Sequence, residues 1–318
     1  MIERMNQLGA VRRPFLFIID FDCRMPIILP LDEVDPREVL YDIRGVRNCP
    51  PPGPHRAPTD IIKHPVPYRR YLEAFNHVVD AQRAGDSYLC NLTFPTPIDT
   101  VLTLEEIFRA AGSPYRLLVR GGFTVFSPEP FVRISGGVIS SCPMKGTIRA
   151  DEPGAREKLL ADEKEFAEHL TIVDLIRNDL GIVARDIRVE RFRYVERIET
   201  SGGGILQTSS EITGRLPRDY RERIGEIVAA LLPAGSVTGA PKKRTVEIIR
   251  EAEGYDRGYY TGIFGCFDGN DLDSAVMIRF IEMTDSGPVY KSGGGITVYS
   301  DPESEYQELI DKVYVPAG

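Results

Sequence analysis

The last third of the chain sets three strand-like segments one after another, YYTGIFGCFDG (259–269), SAVMIRFIEM (274–283) and PVYKSGGGITVYS (288–300), with only turns between them. Connections that short cannot carry the chain back to a parallel partner, which takes a crossover of a dozen residues or more. The segments therefore read as antiparallel strands. FLFII (15–19), SYLCNLTFP (87–95), RLLVRGGFTVFSP (116–128), FVRISGGVISS (131–141) and IRVERFRYVERIE (187–199) continue the habit of strand following strand. Long helices are few, so the expected fold class is α+β rather than a strict βαβ alternation. It would be a two-lobed α/β sandwich of largely antiparallel sheets flanked by helices, with the active site in the cleft between them.

Four helices stand out. Over 68–84, Tyr71, Leu72, Phe75, Val78 and Val79 form one stripe and Gly85 ends it. The segment 155–179 reads as the longest helix, with Phe166, Leu170, Val173 and Ile176 as its buried stripe and Asn178 to Gly181 at its end. Pro241 opens a third, running through KKRTVEIIREAEG, and ESEYQELIDKV forms the last. Residues 47–67 hold seven prolines and cannot be helical; they read as an extended surface loop. That loop closes a short N-terminal segment, 1–67, ahead of a core at 68–318. No comparable boundary divides the remainder, so one domain over 1–318 is expected.

The net charge of −8 argues against a broad nucleic-acid surface, which needs a basic stripe. No apolar run approaches the ~18 residues that span a bilayer, and the first residues lack a signal-peptide order of charge, apolar stretch and cleavage site. The five cysteines (23, 49, 90, 142, 266) are odd in number and scattered, with no C-x-x-C. Reduced thiols in a cytoplasm, without a zinc or disulfide framework, are the expectation. SGGGI occurs at 201–205 and 292–296 with unrelated flanks, and neither a G-x-G-x-x-G nor a G-x-x-x-x-G-K-[ST] motif is present. Nucleotide binding is disfavoured.

Several residues could carry chemistry, each with a plainer reading beside it. Glu305, Glu308 and Lys312 share one face of the last helix. The two carboxylates suit a hard cation such as Mg²⁺, or all three make a solvated face with a Glu308–Lys312 pair. The glycines of SGGGITVYS could cradle an anion or make a flexible turn. Thr238 to Lys242 leads into a helix N-terminus, an anion site or an ordinary helix start. Arg279, in VMIRF, is a carboxylate clamp or a strand residue. Glu168 falls off the stripe of its helix and by itself reads as solvated surface; His169 reads as packing or surface. Lys145, in CPMKGT, is held between Pro143 and Gly146. It is an exposed turn residue or an aimed amine, and only a neutral amine is a nucleophile.

In combination, PMKGT, AEHLTIVDLIRNDLG, PAGSVTGAPKKRTVEII, YTGIFG, IRF and SGGGI…DPESEYQELIDKV occur in the order and approximate spacing of the chorismate-utilising enzymes. The resemblance spans residues 68 to 314, and that family includes component I of anthranilate and aminodeoxychorismate synthases and the isochorismate and salicylate synthases. Most of the family carries a small residue where Lys145 stands, whereas aminodeoxychorismate synthases resemble this chain in having lysine.

The resemblance implies that Lys145 attacks C2 of chorismate as the 4-hydroxyl leaves and that ammonia then adds at C4 and expels the lysine. Glu129, in SPEPF, matches the acid/base glutamate. Glu168 and Glu308, with Glu305, match ligands of a Mg²⁺ cofactor. Thr238, Tyr260, Arg279, Gly294, Gly295 and Lys312 match positions that hold the substrate carboxylates, and Gly146 and Thr147 match a site-lining turn. The metal and nearby cations are expected to favour a neutral Lys145. Two departures stand against the family pattern, Gln207 in place of a histidine and Leu89 in place of a glutamine. They favour the alternative of a non-catalytic metal- and anion-binding regulatory subunit. Anthranilate or isochorismate synthesis on the same scaffold is the other alternative, against which Lys145 speaks. The segment that forms a tryptophan pocket in many relatives is lacking, so no tryptophan feedback is expected. With no glutaminase nucleophile segment in the chain, a separate glutamine amidotransferase subunit is expected to supply the ammonia.

Overall fold

The computed structural model describes residues 1–51, 61–200 and 203–316. Among these are eight α-helices: α1 (Ile2–Ala10), α2 (Tyr68–Arg83), α3 (Leu104–Ala110), α4 (Ala155–Ala161), α5 (Glu163–Val183), α6 (Ile224–Ala230), α7 (Lys242–Glu253) and α8 (Pro302–Asp311). The strands form two nine-stranded sheets. Every pairing described is antiparallel, from Phe15–Ile19 against Ile263–Phe267 in the first sheet to Gly287–Ile296 against Leu89–Asp99 in the second.

The sandwich is explained by strands that are apolar on both faces. FLFII is buried throughout. With a period of two, Phe15, Phe17 and Ile19 point to one side and Leu16 and Ile18 to the other. The first set packs in a core with Met5, Val173, Leu180 and Ile224, under α1, α5 and α6. The second set meets Tyr41, Leu117, Val125 and Phe280 of the opposing sheet. The outer face of that second sheet is covered by α2, α7 and α8 through Phe75, Leu92, Ile248 and Leu309. The result is helix, sheet, sheet, helix. The residues before the proline-rich loop contribute to both sheets, with Phe15–Ile19 inside the first and Val39–Ile43 in the second. Residues 52–60 of the expected loop lie outside the described residues; just after them Ile62–Lys63 pairs with Ile98–Asp99. No helix among the described residues is long and apolar enough to cross a membrane.

The long helix departs from expectation. It is broken at Asp162, whose carboxylate accepts from the Glu165 amide at 2.9 Å and so starts α5 afresh. Arg193 donates to the terminal carbonyls of α4, Leu159 at 2.9 Å and Leu160 at 2.7 Å, which closes that helix. The buried stripe is also shifted. Phe166 and Leu170 face outward, while His169, Ile172, Val173 and Leu180 face inward. This rotation turns Glu168 toward the interior. Pro241 sits at the cap of α7 rather than inside its first turn, and Lys242 turns away to pair with Asp179 at 2.7 Å.

Candidate active site

Two of the passages from one sheet to the other are short, and a candidate functional residue stands at each. Strand Phe123–Ser127 belongs to the second sheet and Pro130–Ser135 to the first, so Glu129 lies on the crossing. Strand Leu272–Val276 belongs to the first sheet and Phe280–Thr284 to the second, so Arg279 lies on the return. VMIRF is therefore not one continuous strand. Backbone bonds tie both crossings down: Val276 N donates to Glu129 O at 3.1 Å, and Phe126 N to Arg279 O at 3.1 Å. Arg279 has φ +53°, an uncommon conformation for a side chain of this size, and it breaks the strand alternation so that the guanidinium enters the cleft.

Lys145 is placed by a bulge. In strand Met144–Arg149 it pairs with Thr208, and Thr147 then pairs with Gln207, leaving Gly146 as the extra residue at φ +71°. A Cβ there would lie 3.2 Å from both Glu165 Oε2 and Leu159 Cδ1. Glycine thus lets the strand bend under α5 and sends the lysine into the cleft. SGGGI at 292–296 lies in strand Gly287–Ile296 and is neither a turn nor a loop. Here the glycines act by what they omit. A Cβ on Gly294 would lie 3.3 Å from Glu305 Oε2, and one on Gly295 would lie 3.5 Å from Lys145 Nζ.

These elements enclose a cavity of 300 Å³ lined by Glu129, Lys145, Gly146, Thr147, Thr238, Tyr260, Arg279, Gly294, Gly295, Glu308 and Lys312. An adjoining outer cavity of 680 Å³ shares Lys145, Arg279 and Lys312 and adds Glu165, Glu168, Glu305, Asp311 and Tyr314. Every residue expected at the site lines one cavity or both. A groove of 790 Å³ beside Arg185, Arg215 and Tyr220 holds none of them. Thr238 is fully buried; its hydroxyl donates to Ala234 O, and its carbonyl accepts from Asn91 N at 2.8 Å. Lys312 donates to Gly293 O at 2.9 Å and pairs with Glu308 at 2.6 Å.

The electrostatics differ between the two catalytic candidates. Burial pushes the Glu129 carboxyl up. A hydrogen bond from Ser236 and the charges of Lys145, Lys312 and Arg279 pull it back, and the net direction is upward. At Lys145 two opposing effects meet. Burial pushes its ammonium down, but Glu168, 3.0 Å away, together with Glu165 and Glu308, outweighs burial, and the net direction is upward. Tyr260 is buried beneath the cavity, and its phenol is pushed well up by that burial.

The carboxylates Glu165, Glu168, Glu305, Glu308 and Asp311 all face the outer cavity. Oxygen donors of this kind suit a hard cation and not zinc. Among the described residues no three acidic, histidine or cysteine side chains gather around one point as a metal cage. Mg²⁺ needs only one or two protein carboxylates, completing its shell with water and substrate oxygens, so the donor set fits that ion.

Sequence reading missed several residues of the site. Glu165 stands one turn before Glu168 on α5, a spacing of three that could have flagged it. Ser236, which bonds Glu129, and Asn91, whose buried Oδ1 meets no donor among the described residues, gave no such signal. Lys291 is buried in the cavity wall, paired with Glu282 at 2.8 Å and donating to Arg257 O at 3.0 Å. His169, read as packing or surface, is fully buried with Nε2 at 2.6 Å from Ser210 Oγ.

Residues 30–318 match the model of a family described as chorismate binding enzyme. The chain belongs to the chorismate-binding enzyme family. A Haemophilus influenzae protein described as an uncharacterized PabA-like protein is 50% identical over 315 residues, covering 99% of this chain and 96% of its own. Aminodeoxychorismate synthase component 1 of Salmonella typhimurium is 36% identical over 259 residues, covering 76% of this chain and 56% of its own. Anthranilate synthase component 1 of Acetivibrio thermocellus is 34% identical over 260 residues, covering 77% and 50%. The fold is that of family members of known structure. A putative 2,3-dihydroxybenzoate-specific isochorismate synthase from Bacillus anthracis superposes with a TM-score of 0.72 at 21% identity, covering 98% of this chain and 87% of the other.

Proposed function

We propose that this chorismate-binding enzyme is component I of an aminodeoxychorismate synthase, converting chorismate and ammonia to 4-amino-4-deoxychorismate for 4-aminobenzoate and folate formation. The observation that carries the reading is Lys145, a lysine aimed by the Gly146 bulge into the inner cavity. Overall likeness does not separate this activity from anthranilate synthesis, because relatives of both names match at similar identity.

Chorismate is a dianion. Arg279, Lys312 and the space left by Gly294 and Gly295 receive its carboxylates. Glu168, Glu305 and Glu308 would hold Mg²⁺, which supplies charge neutralisation of a substrate carboxylate. Glu129, whose carboxyl burial shifts toward the protonated form, donates its proton to the departing 4-hydroxyl. Neutral Lys145 Nζ forms a bond to C2, the ring double bonds shift, and the C4–O bond breaks with loss of water. Ammonia then bonds C4, the double bonds shift back, and the C2–N bond breaks with its electron pair returning to lysine. The proton released by the incoming nitrogen restores Glu129, so the sum is chorismate plus ammonia giving aminodeoxychorismate plus water. Lysine must first lose the proton that Glu168 stabilises. Engagement of that carboxylate by another group removes the partner that keeps the amine charged.

A separate glutamine amidotransferase is the proposed source of ammonia, and a soluble cytoplasmic location goes with that assignment. The test is product analysis with purified protein, chorismate, Mg²⁺ and excess ammonium salt. Aminodeoxychorismate, retaining its enolpyruvyl group, supports the assignment. Anthranilate or isochorismate as the product would overturn it.

A further inference from the structure

Arg279 is not alone at the mouth of the site. Its guanidinium carbon lies 4.8 Å over the Tyr314 ring, and its Nη2 donates to the Tyr314 hydroxyl at 3.4 Å. Both side chains line the outer cavity with Lys312. Tyr314 follows α8 near the end of the described chain, yet its backbone is fastened. Its carbonyl accepts from the buried Tyr290 hydroxyl at 3.0 Å, and its amide donates to Lys312 O at 3.1 Å.

The donor count gives this pair a direction. The phenol oxygen accepts from arginine, so the phenol proton is free to be donated elsewhere, and among the described residues no protein acceptor takes it. The guanidinium has five N–H groups and shares them with the Tyr314 and Tyr290 phenols, which leaves at least three for contact with a carboxylate. The contact with the ring face holds the guanidinium at the mouth before the ligand arrives. The anchored backbone on one side and the bond from Phe126 N to Arg279 O on the other hold the two groups in place.

We infer that Tyr314 and Arg279 form a two-part clamp, with the phenol O–H and the guanidinium edge converging on one carboxylate of bound chorismate. Tyr314 is then a substrate-binding residue beyond those matched to the family's motifs. The inference rests on the proposed substrate role of Arg279 but not on which product the enzyme makes.

The experiment is equilibrium binding of chorismate by calorimetry, with Mg²⁺ and without ammonia, in a Lys145→Ala background so that no chemistry follows binding. Tyr314→Phe keeps the ring contact and loses the donor, and should weaken Kd about fivefold. Tyr314→Ala loses both, and should weaken Kd at least about tenfold. In an Arg279→Lys background, which cannot offer the planar fork, the Tyr314→Phe effect should shrink. Wild-type affinity in Tyr314→Phe would overturn the phenol donor, and equal losses in the Phe and Ala variants would overturn the ring contact. Absence of chorismate binding in the Lys145→Ala parent would overturn the clamp. A product other than aminodeoxychorismate would sink the proposed activity and leave the clamp standing.

Discussion

Lys145 Nζ and Glu168 Oε2 are 3.0 Å apart across the seam between strand Met144–Arg149 and helix α5. The contact makes the lysine a charged, paired group until Glu168 is engaged otherwise. If the amine is the nucleophile, Lys145→Ala should drop aminodeoxychorismate formation to the rate without enzyme while leaving the melting temperature within a few degrees. Intact-protein mass after chorismate exposure is the direct check. A mass increase in the parent that disappears in Lys145→Ala is expected; an unmodified parent under slow-turnover conditions counts against the covalent route.

Glu129 is predicted to set the alkaline limb of activity. Its carboxyl is pushed above the usual ~4.3 by burial, and an acid that protonates a leaving group works only below its own pKa. Rate should therefore fall as pH rises through that raised value, and Glu129→Gln should lose roughly 10²–10⁴ in kcat. Stability has the same sign. The folded state binds the extra proton between the unfolded and folded pKa values, so this contribution is full below the unfolded value and is lost as pH rises through the folded one. Melting temperature against pH should consequently fall less steeply in Glu129→Gln than in the parent.

Much of this site was legible before any coordinates, and the exceptions have physical causes. Lys145 and Glu308 stand in motifs that carry the family resemblance, and Glu129 in SPEPF sixteen residues before Lys145, so their convergence on one cleft could be expected. Glu168 by itself could not be placed. Phe166 and Leu170 look like a core stripe, yet they face outward, where Phe166 meets Phe192 edge-on at 6.3 Å and carries the Arg193 guanidinium at 5.1 Å. Local aromatic and cationic contacts thus satisfy residues that periodicity assigns to the interior. VMIRF likewise reads as one apolar run. Its break at Arg279 is imposed by the passage between sheets, a tertiary demand that no local pattern encodes. The closeness of Glu165 and Glu168 to Lys145 is illegible for the same reason, since they reach it only through the packing of α5.

The three glycines of SGGG should separate folding from binding. On Gly293 a Cβ would lie 2.3 Å from Leu92 O, a backbone atom that cannot retreat within the sheet, so Gly293→Ala should unfold the protein or cut its soluble yield sharply. On Gly295 the nearest atoms would be Leu89 Cδ1 at 3.2 Å and Lys145 Nζ at 3.5 Å, both side-chain ends able to shift. Gly295→Ala should fold with a melting temperature near that of the parent while filling space beside the amine. Its Kd for chorismate should rise about tenfold or more, on the order of the discrimination that one added carbon gives in a close-fitting pocket. Equal thermal losses in the two variants would refute the distinction.

Behind the substrate loop, Asp179 of α5 and Lys242 of α7 form a 2.7 Å ion pair, and Lys242 also donates to Leu231 O at 2.8 Å. A Cβ on Gly235 would lie 2.9 Å from Asp179 Oδ2, so the loop carrying Ser236 and Thr238 rests directly on this pair. Burial pushes the Asp179 carboxyl up and the Lys242 ammonium down, which means that desolvation outweighs their mutual attraction. Removing one partner strands a charge in that setting and should cost about 3 kcal/mol, whether in Asp179→Leu or in Lys242→Met. Removing both leaves no charge to desolvate, and the double variant should recover most of that loss. Denaturant midpoints of the four proteins test the sign. If the pair also sets the loop, KM for chorismate should stay raised in the double variant after its stability has returned. A double variant as unstable as the single ones would show that the pair is held together by attraction that exceeds its desolvation.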